Sequence, residues 1–353
     1  MNVLDLFCGC GGISLGFQSA GFNISGGVDI DQDSIKTFKK NFPKSKAVCK
    51  SLLEYSDDKI LKDFGKKIID IIVGGPPCQG FSSANRWNKE NEDPRNKLFF
   101  EYLRFVELLK PKAVVIENVR GILTRDGGFA KDRIEKLLKN LGYTVDCKVL
   151  NASDFGVPQN RLRAFFVAIR NDYNETFDFE QLNQKPKVTV KDAIGELYDL
   201  DKNPKNKLTA KPENKYLKYL RKENQEIHNH EIKYPAQLTQ ERISHVPQGG
   251  NWANIPHELF PNNRSNRHSS AFKRLDEQAC SVTIDTGNAH SNYFHPLYNR
   301  IPTVREAARI QSFKDNFILE GSRTSQYRQV GNAVPPLLAK AVADELLKYL
   351  NNK

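Results

Sequence analysis

The sequence predicts an α/β fold: a mostly parallel β-sheet with helices on both faces, joined to a smaller, irregular second domain. Three observations predict it. From the N-terminus to about residue 170, short apolar runs alternate with amphipathic stretches, the signature of repeated βα units. The runs are nearly continuously hydrophobic, as parallel strands covered on both faces must be. From Pro186 to Arg300 the texture changes to Lys, Asn, Pro and His in short, weakly periodic pieces, and helical periodicity then returns. These transitions divide the chain into one domain made of residues 1–185 and 301–353 and a second made of residues 186–300.

Taken in order, "NVLDLF" reads as the first strand and "GGISLGFQSAG" as a helix stopped by glycine, which commonly ends helices. "ISGGVDI" and "IIDIIVGG" are strands, with the helix "QDSIKTFKKNF" between them, halted at Pro43. "KLFFEYLRFVELLK" and "AKDRIEKLLKNLG" carry apolar residues at helical spacing, on either side of the strand "KAVVIENV". "YTVDCKVL" and "RAFFVAIR" close the set of strands. "TVREAARIQSF" and "AVPPLLAKAVADELLKYLNN" restore helical periodicity after the irregular region, the last beginning at a proline pair that a helix N-terminus tolerates.

Composition excludes several classes. The 353 residues are 39% hydrophobic and 27% charged, and no stretch approaches the roughly 20 apolar residues that cross a bilayer. "MNVLDLF" enters the first strand without a basic region or cleavage site, so a cytoplasmic location is expected. Six cysteines, at 8, 10, 49, 78, 147 and 280, show no CxxC pair, which predicts free thiols and no metal site. A net charge of +11 suits a polyanionic partner, whose neutralised phosphates release counterions.

"DLFCGCGGISLGF" sets Gly9, Gly11 and Gly12 between a strand and a helix, where backbone can approach a ligand closely. A dinucleotide fingerprint would need glycine where Ser14 stands, which disfavours a nicotinamide dehydrogenase. Asp29 follows 20 residues after Gly9, where a carboxylate can accept both hydroxyls of a ribose. A nucleoside cofactor without pyrophosphate fits, S-adenosylmethionine being the common one; a tight turn with a helix-capping aspartate stays open as the alternative. Cys78, in "IIVGGPPCQGFS", lies just past a strand end, at the edge where open α/β sheets bind ligands, and is placed to be a nucleophile. "PKAVVIENV" ends the next strand with Glu117 and Asn118, and "QNRLR" adds Arg161 and Arg163 at i and i+2, which on an extended segment share a side. Thiol, carboxyl and guanidinium are expected to converge.

These residues carry a resemblance. The blocks "DLFCGCGG", "GGPPCQGFS", "ENV", "QNRLR", "TVREAARIQSF" and "YRQVGNAVPP" stand in the order that is found in the DNA (cytosine-5) methyltransferases, and the chain is similar to the prokaryotic modification enzymes of that family. The resemblance implies a Rossmann-like, S-adenosylmethionine-dependent methyltransferase fold with an inserted target-recognition domain. It implies that Cys78 is the nucleophile, that Glu117 holds the target base, and that Arg161 and Arg163 bind the cytosine carbonyl and a phosphate. For the cofactor it implies Phe7 and Ile30 at the adenine, Asp29 at the ribose, and the backbone of Gly9, Gly11 and Gly12. Ser51 stands where the family has an aspartate, and Leu52, Pro76 and Leu98 are implied as further cofactor contacts. Asn332, Ala333 and Val334 would complete the methionine end, while Arg305 would brace the second domain.

The chemistry agrees with these roles. Carbon 5 of cytosine attacks a methyl sulfonium only after a thiolate adds to carbon 6, and that thiol reaches only a flipped-out base. The loop after Cys78 offers Gln79, Ser82, Arg86 and Lys89 as contacts to double-stranded DNA. Recognition is expected within "NNRSNRHSSAFKR" and "TIDTGNAHSNYF", with Arg264, Arg267, Thr283 and Ile284 as candidates. A transfer-RNA methyltransferase and a non-catalytic DNA-binding protein are the alternatives; the former's Cys-Phe-Thr tripeptide is not found in the sequence. A monomer is expected, with a restriction endonuclease of the same specificity as a companion.

Overall fold

Seven strands form the sheet of the first of two units: β1 (Asn2–Leu6), β2 (Asn23–Asp29), β3 (Lys46–Cys49), β4 (Ile71–Gly74), β5 (Ala113–Val119), β6 (Tyr143–Asn151) and β7 (Leu162–Arg170). The computed structural model describes residues 1–77, 97–205, 207–260, 272–286 and 293–351. Strand order is β3-β2-β1-β4-β5-β7-β6. All pairs are parallel except those of β7, which runs antiparallel to both neighbours. This is the mostly parallel sheet the alternation predicts, with one reversed strand that the apolar pattern of "RAFFVAIR" could not announce.

Helices α1 (Gly12–Ser19), α2 (Gln32–Asn41), α3 (Asp57–Phe64), α4 (Lys97–Leu109) and α5 (Phe129–Asn140) connect the strands. On one face Leu4, Leu6, Ile72, Val114 and Ile116 share a core with Ile60 and Phe64 of α3, Phe99 and Phe105 of α4, and Ile134 and Leu138 of α5. Alternation along β1 sends Asp5 to the other face, where α1 packs so tightly on the C-terminal helix Pro336–Asn351 that a Cβ on Gly16 would lie 2.5 Å from that of Ala339. Helix α3 escapes the sequence pattern because it is two turns long; Ser56 caps it by accepting the Lys59 amide at 3.3 Å.

The first unit comprises Met1–Phe155, Leu162–Gln184 and Val334–Lys353, and the second Gly156–Arg161 and Lys185–Ala333. Residues 301–333, expected with the first domain, belong to the second unit. Buried arginines hold them there. Arg305 donates to the carbonyls of His228, Lys314 and Phe317 at 2.9, 3.0 and 2.7 Å, and Arg309 pairs with Asp315 and Glu196. Among the described residues no helix is long and apolar enough to cross a membrane.

Candidate active site

The parallel strands β1, β2, β4 and β5 end at one edge of the sheet, and the reversed β7 begins there, with Arg163 opposite Val119. At this edge β1 gives way to a tight turn with Phe7, Gly9 and Gly11 at φ 61°, 52° and 98°. Gly11 is required twice over, by that φ and because a Cβ would stand 2.5 Å from the Phe42 ring. Asp29, at the end of β2, accepts the Gly9 amide at 2.8 Å through Oδ2 and the Asp31 amide at 2.9 Å through Oδ1. Burial pushes its pKa up, against the pull of those amides. A carboxylate offers about four acceptor sites, more than these amides use, so it can also accept a hydroxyl. Ile30 beside it is 73% exposed, an apolar side chain left open to a flat ring. These groups fit a nucleoside.

The other expected cofactor residues divide. Ser51 caps a short 3-10 turn, accepting the Leu53 amide at 3.3 Å while its own amide donates to Glu54 Oε1 at 3.1 Å. Leu52 is buried in the core, Leu98 is half-buried on α4, and the Pro76 carbonyl accepts from Asn118 Nδ2 at 2.9 Å.

Sequence reasoning passed over Asp5. It is fully buried; Oδ2 accepts the Ser14 hydroxyl at 2.6 Å, and Oδ1 has no hydrogen-bond partner among the described residues. Desolvation pushes its pKa up to about 7, partly offset by Ser14. The signal was present: a carboxylate at the centre of the apolar run "NVLDLF" is costly unless it has a role. The neighbouring thiols of Cys8 and Cys10 are buried, and burial raises that of Cys10 to about 12.

Glu117 and Arg163 come together. Arg163 Nε lies 2.9 Å from Glu117 Oε1, both largely buried, and Arg163 Nη1 donates to the Leu162 carbonyl at 2.8 Å. A Cβ on Gly75 would stand 3.2 Å from Glu117 Oε2, so the chain leaving β4 passes against the carboxylate three residues before Cys78. Cys78, Gln79, Ser82, Arg86, Lys89, Arg264 and Arg267 lie outside the described residues.

Arg161, expected beside Arg163, is placed otherwise. It precedes β7, so strand alternation does not govern it, and it belongs to the second unit, where its buried guanidinium donates to the carbonyls of Ile284 at 2.8 Å and Gly331 at 2.7 Å. Thr283 is exposed, its hydroxyl bonded to the Asn160 carbonyl at 2.8 Å, and Ile284 is fully buried. Asn332 and Ala333 end helix Arg323–Asn332 in the second unit; Val334 opens the last segment of the first.

The family model for C-5 cytosine-specific DNA methylase matches residues 1–348. Type II methyltransferase M1.HphI of Haemophilus parahaemolyticus is 38% identical over 354 residues, spanning 100% of this chain and 88% of that protein. Type II methyltransferase M.DdeI of Desulfomicrobium norvegicum is 35% identical over 382 residues, spanning 100% and 90%. A crystal structure described as a DNA modification methyltransferase encoded within an E. coli prophage superimposes with a TM-score of 0.79 at 28% identity, covering 100% of both chains.

Proposed function

This chain belongs to the C-5 cytosine-specific DNA methylase family and is a DNA cytosine-5 methyltransferase, and on that premise we propose that it works through Cys78 on a base flipped out of double-stranded DNA, with S-adenosylmethionine as methyl donor. The observation that carries the reading is the Glu117–Arg163 pair at the sheet edge, 2.9 Å apart, with the chain toward Cys78 running past the carboxylate.

Cys78 adds to carbon 6 of the cytosine, and the ring becomes an enamine nucleophilic at carbon 5. As the base enters, Glu117 takes up a proton, donates it to the ring nitrogen and accepts from the amino group with its other oxygen, while Arg163 donates to the carbonyl oxygen, where negative charge builds. Their mutual ion pair orients both before substrate arrives. Once carbon 5 carries the methyl group, loss of its proton to a base such as water expels the Cys78 thiolate and restores the aromatic ring. Asp29 would hold the cofactor's ribose, Ile30 and Phe7 its adenine, the Gly9–Gly12 turn its backbone-facing side, and Asn332, Ala333 and Val334 its methionine end; bound there, S-adenosylmethionine supplies an electrophilic methyl group. Arg161 acts on the protein's own carbonyls, as a positioning residue.

Residues 186–300 supply DNA recognition in this reading, with Thr283 among the contacts. The relatives' Type II names support a modification role; a restriction endonuclease of the same specificity as companion, a monomeric state and a cytoplasmic location complete the proposal. The test is a duplex in which fluorine replaces hydrogen on carbon 5 of the target cytosine, so that the elimination step is blocked. A protein–DNA adduct that survives denaturation and is missing in Cys78→Ser is expected; a wild-type protein that methylates DNA but never forms it would refute covalent catalysis by Cys78.

A further inference from the structure

Four segments of the second unit meet around two buried glutamines. Gln159 accepts the Ile284 amide on Oε1 at 2.8 Å and donates through Nε2 to Gln311 Oε1 at 2.6 Å. Gln311 in turn donates through Nε2 to the carbonyls of Val330 at 2.8 Å and Ala333 at 3.1 Å. Arg161 runs a second rail alongside, to the Ile284 and Gly331 carbonyls. Backbone bonds complete the join: Asn160 to the Ser281 carbonyl at 2.8 Å, and Ser281 to the Pro158 carbonyl at 2.9 Å. Both glutamine side chains are fully buried. Gly331 sits so close to this strand of chain that a Cβ would stand 2.5 Å from the Asp285 carbonyl carbon and oxygen.

One end of this clasp is the turn carrying the exposed Asn332 and the half-buried Ala333; the other carries the exposed Thr283. Each end presents a group outward, and direct hydrogen bonds of 2.6 to 3.1 Å link the amides between them. An amide is the side chain that can accept from one segment while donating to another, and a chain of such bonds in a buried setting transmits displacement, because breaking any link leaves a polar group unsatisfied.

We propose that Gln159 and Gln311, with Arg161, are positioning residues that couple the Asn332–Ala333 turn to the Thr283–Ile284 segment, so that a ligand ordering one end raises the affinity of the other end for its own ligand. The inference rests on the functional reading above, which puts the cofactor at the first end and DNA at the second. Coupling of this kind is reciprocal and typically about fivefold or more.

The test uses the whole protein and S-adenosylhomocysteine, the unreactive product, as probe. In hydrogen–deuterium exchange without DNA, saturating S-adenosylhomocysteine should slow exchange of the Ile284 amide, which donates directly to Gln159, by about fivefold or more. In Gln311→Met, which removes both links at similar volume, the probe should still bind while the Ile284 effect falls below about twofold, and the probe's enhancement of affinity for a fluorescent duplex should shrink in step. A merely structural glutamine would lower thermal stability and leave both ratios unchanged. Wild-type Ile284 exchange that does not respond to bound probe overturns the proposal even if the variant fails to fold. A wild-type protein that does not bind the probe at all overturns the functional reading first, and the coupling with it.

Discussion

Replacing Asp5 by Asn tests what a buried carboxylate is doing beneath the glycine turn. Asp5 has a folded pKa of about 7 against an ordinary 3.8. The folded state therefore binds the proton more tightly than the unfolded state, and the stability contributed by this group is fully present below pH 3.8 and lost as pH rises through about 7. At about 1.4 kcal/mol per unit, the ionised carboxylate costs the fold on the order of 4 kcal/mol at pH 8, of which about 2 kcal/mol accrues above pH 5.5. Asn keeps an oxygen for the Ser14 hydroxyl and cannot ionise. Urea unfolding of both proteins between pH 5.5 and 8 should show Asp5→Asn gaining on wild type by about 2 kcal/mol across that range, while affinity for S-adenosylhomocysteine falls. A stability difference that does not change with pH would refute the assignment of a strained carboxylate at this position.

In the second unit the sign reverses. His295 Nδ1 accepts the amides of Leu297 and Tyr298, both at 3.1 Å, and burial pulls its pKa down to about 4; its stability is present above the unfolded value of 6.5 and lost as pH falls toward 4. His295→Gln should flatten the acid limb by about 2 to 3 kcal/mol between pH 6.5 and 4.5, and an acid limb as steep as wild type's counts against it. Gly16→Ala, despite better helix propensity, should lower the melting temperature, because overpacking against Ala339 costs about 1–3 kcal/mol and the propensity gain is about 1; a raised melting temperature would show that the helices separate freely. Arg163→Lys keeps the charge but loses the planar fork beside Glu117, and single-turnover methylation should slow by about 100-fold or more with DNA affinity little changed; a loss confined to DNA affinity would place Arg163 outside the chemistry.

Much of this was legible in the residues, for physical reasons that can be named. Continuous apolar runs announced six strands of the sheet, and glycine and proline punctuation announced the helices between them. Strand β7 looked like its neighbours because hydrophobicity does not encode direction; only the register of Arg163 against Val119 reveals the reversal. Glu117 and Arg163 were found as charges at the ends of apolar strands. The acceptors of Arg161 were not legible, because alternation holds within a strand and β7 starts one residue later, at Leu162, while the Ile284 and Gly331 carbonyls lie far along the chain. Gln159 and Gln311 gave no signal, since a buried relay of amides is a property of four distant segments rather than of any one. The reach of the second unit to Ala333 was hidden likewise, because "TVREAARIQSF" is helical in either unit and its allegiance is set by where Arg305 and Arg309 find their acceptors.

The central claim, cytosine-5 methylation carried by Cys78, is tested most directly by base-resolution bisulfite sequencing of sequence-diverse, unmethylated DNA after incubation with S-adenosylmethionine and either wild type or Cys78→Ala. Protected cytosines confined to one short sequence with wild type, and none with the variant, are predicted. Equal protection by the variant would contradict the assignment of the nucleophile, and no protection by wild type on DNA, with methyl transfer seen on RNA instead, would contradict the assignment of the substrate.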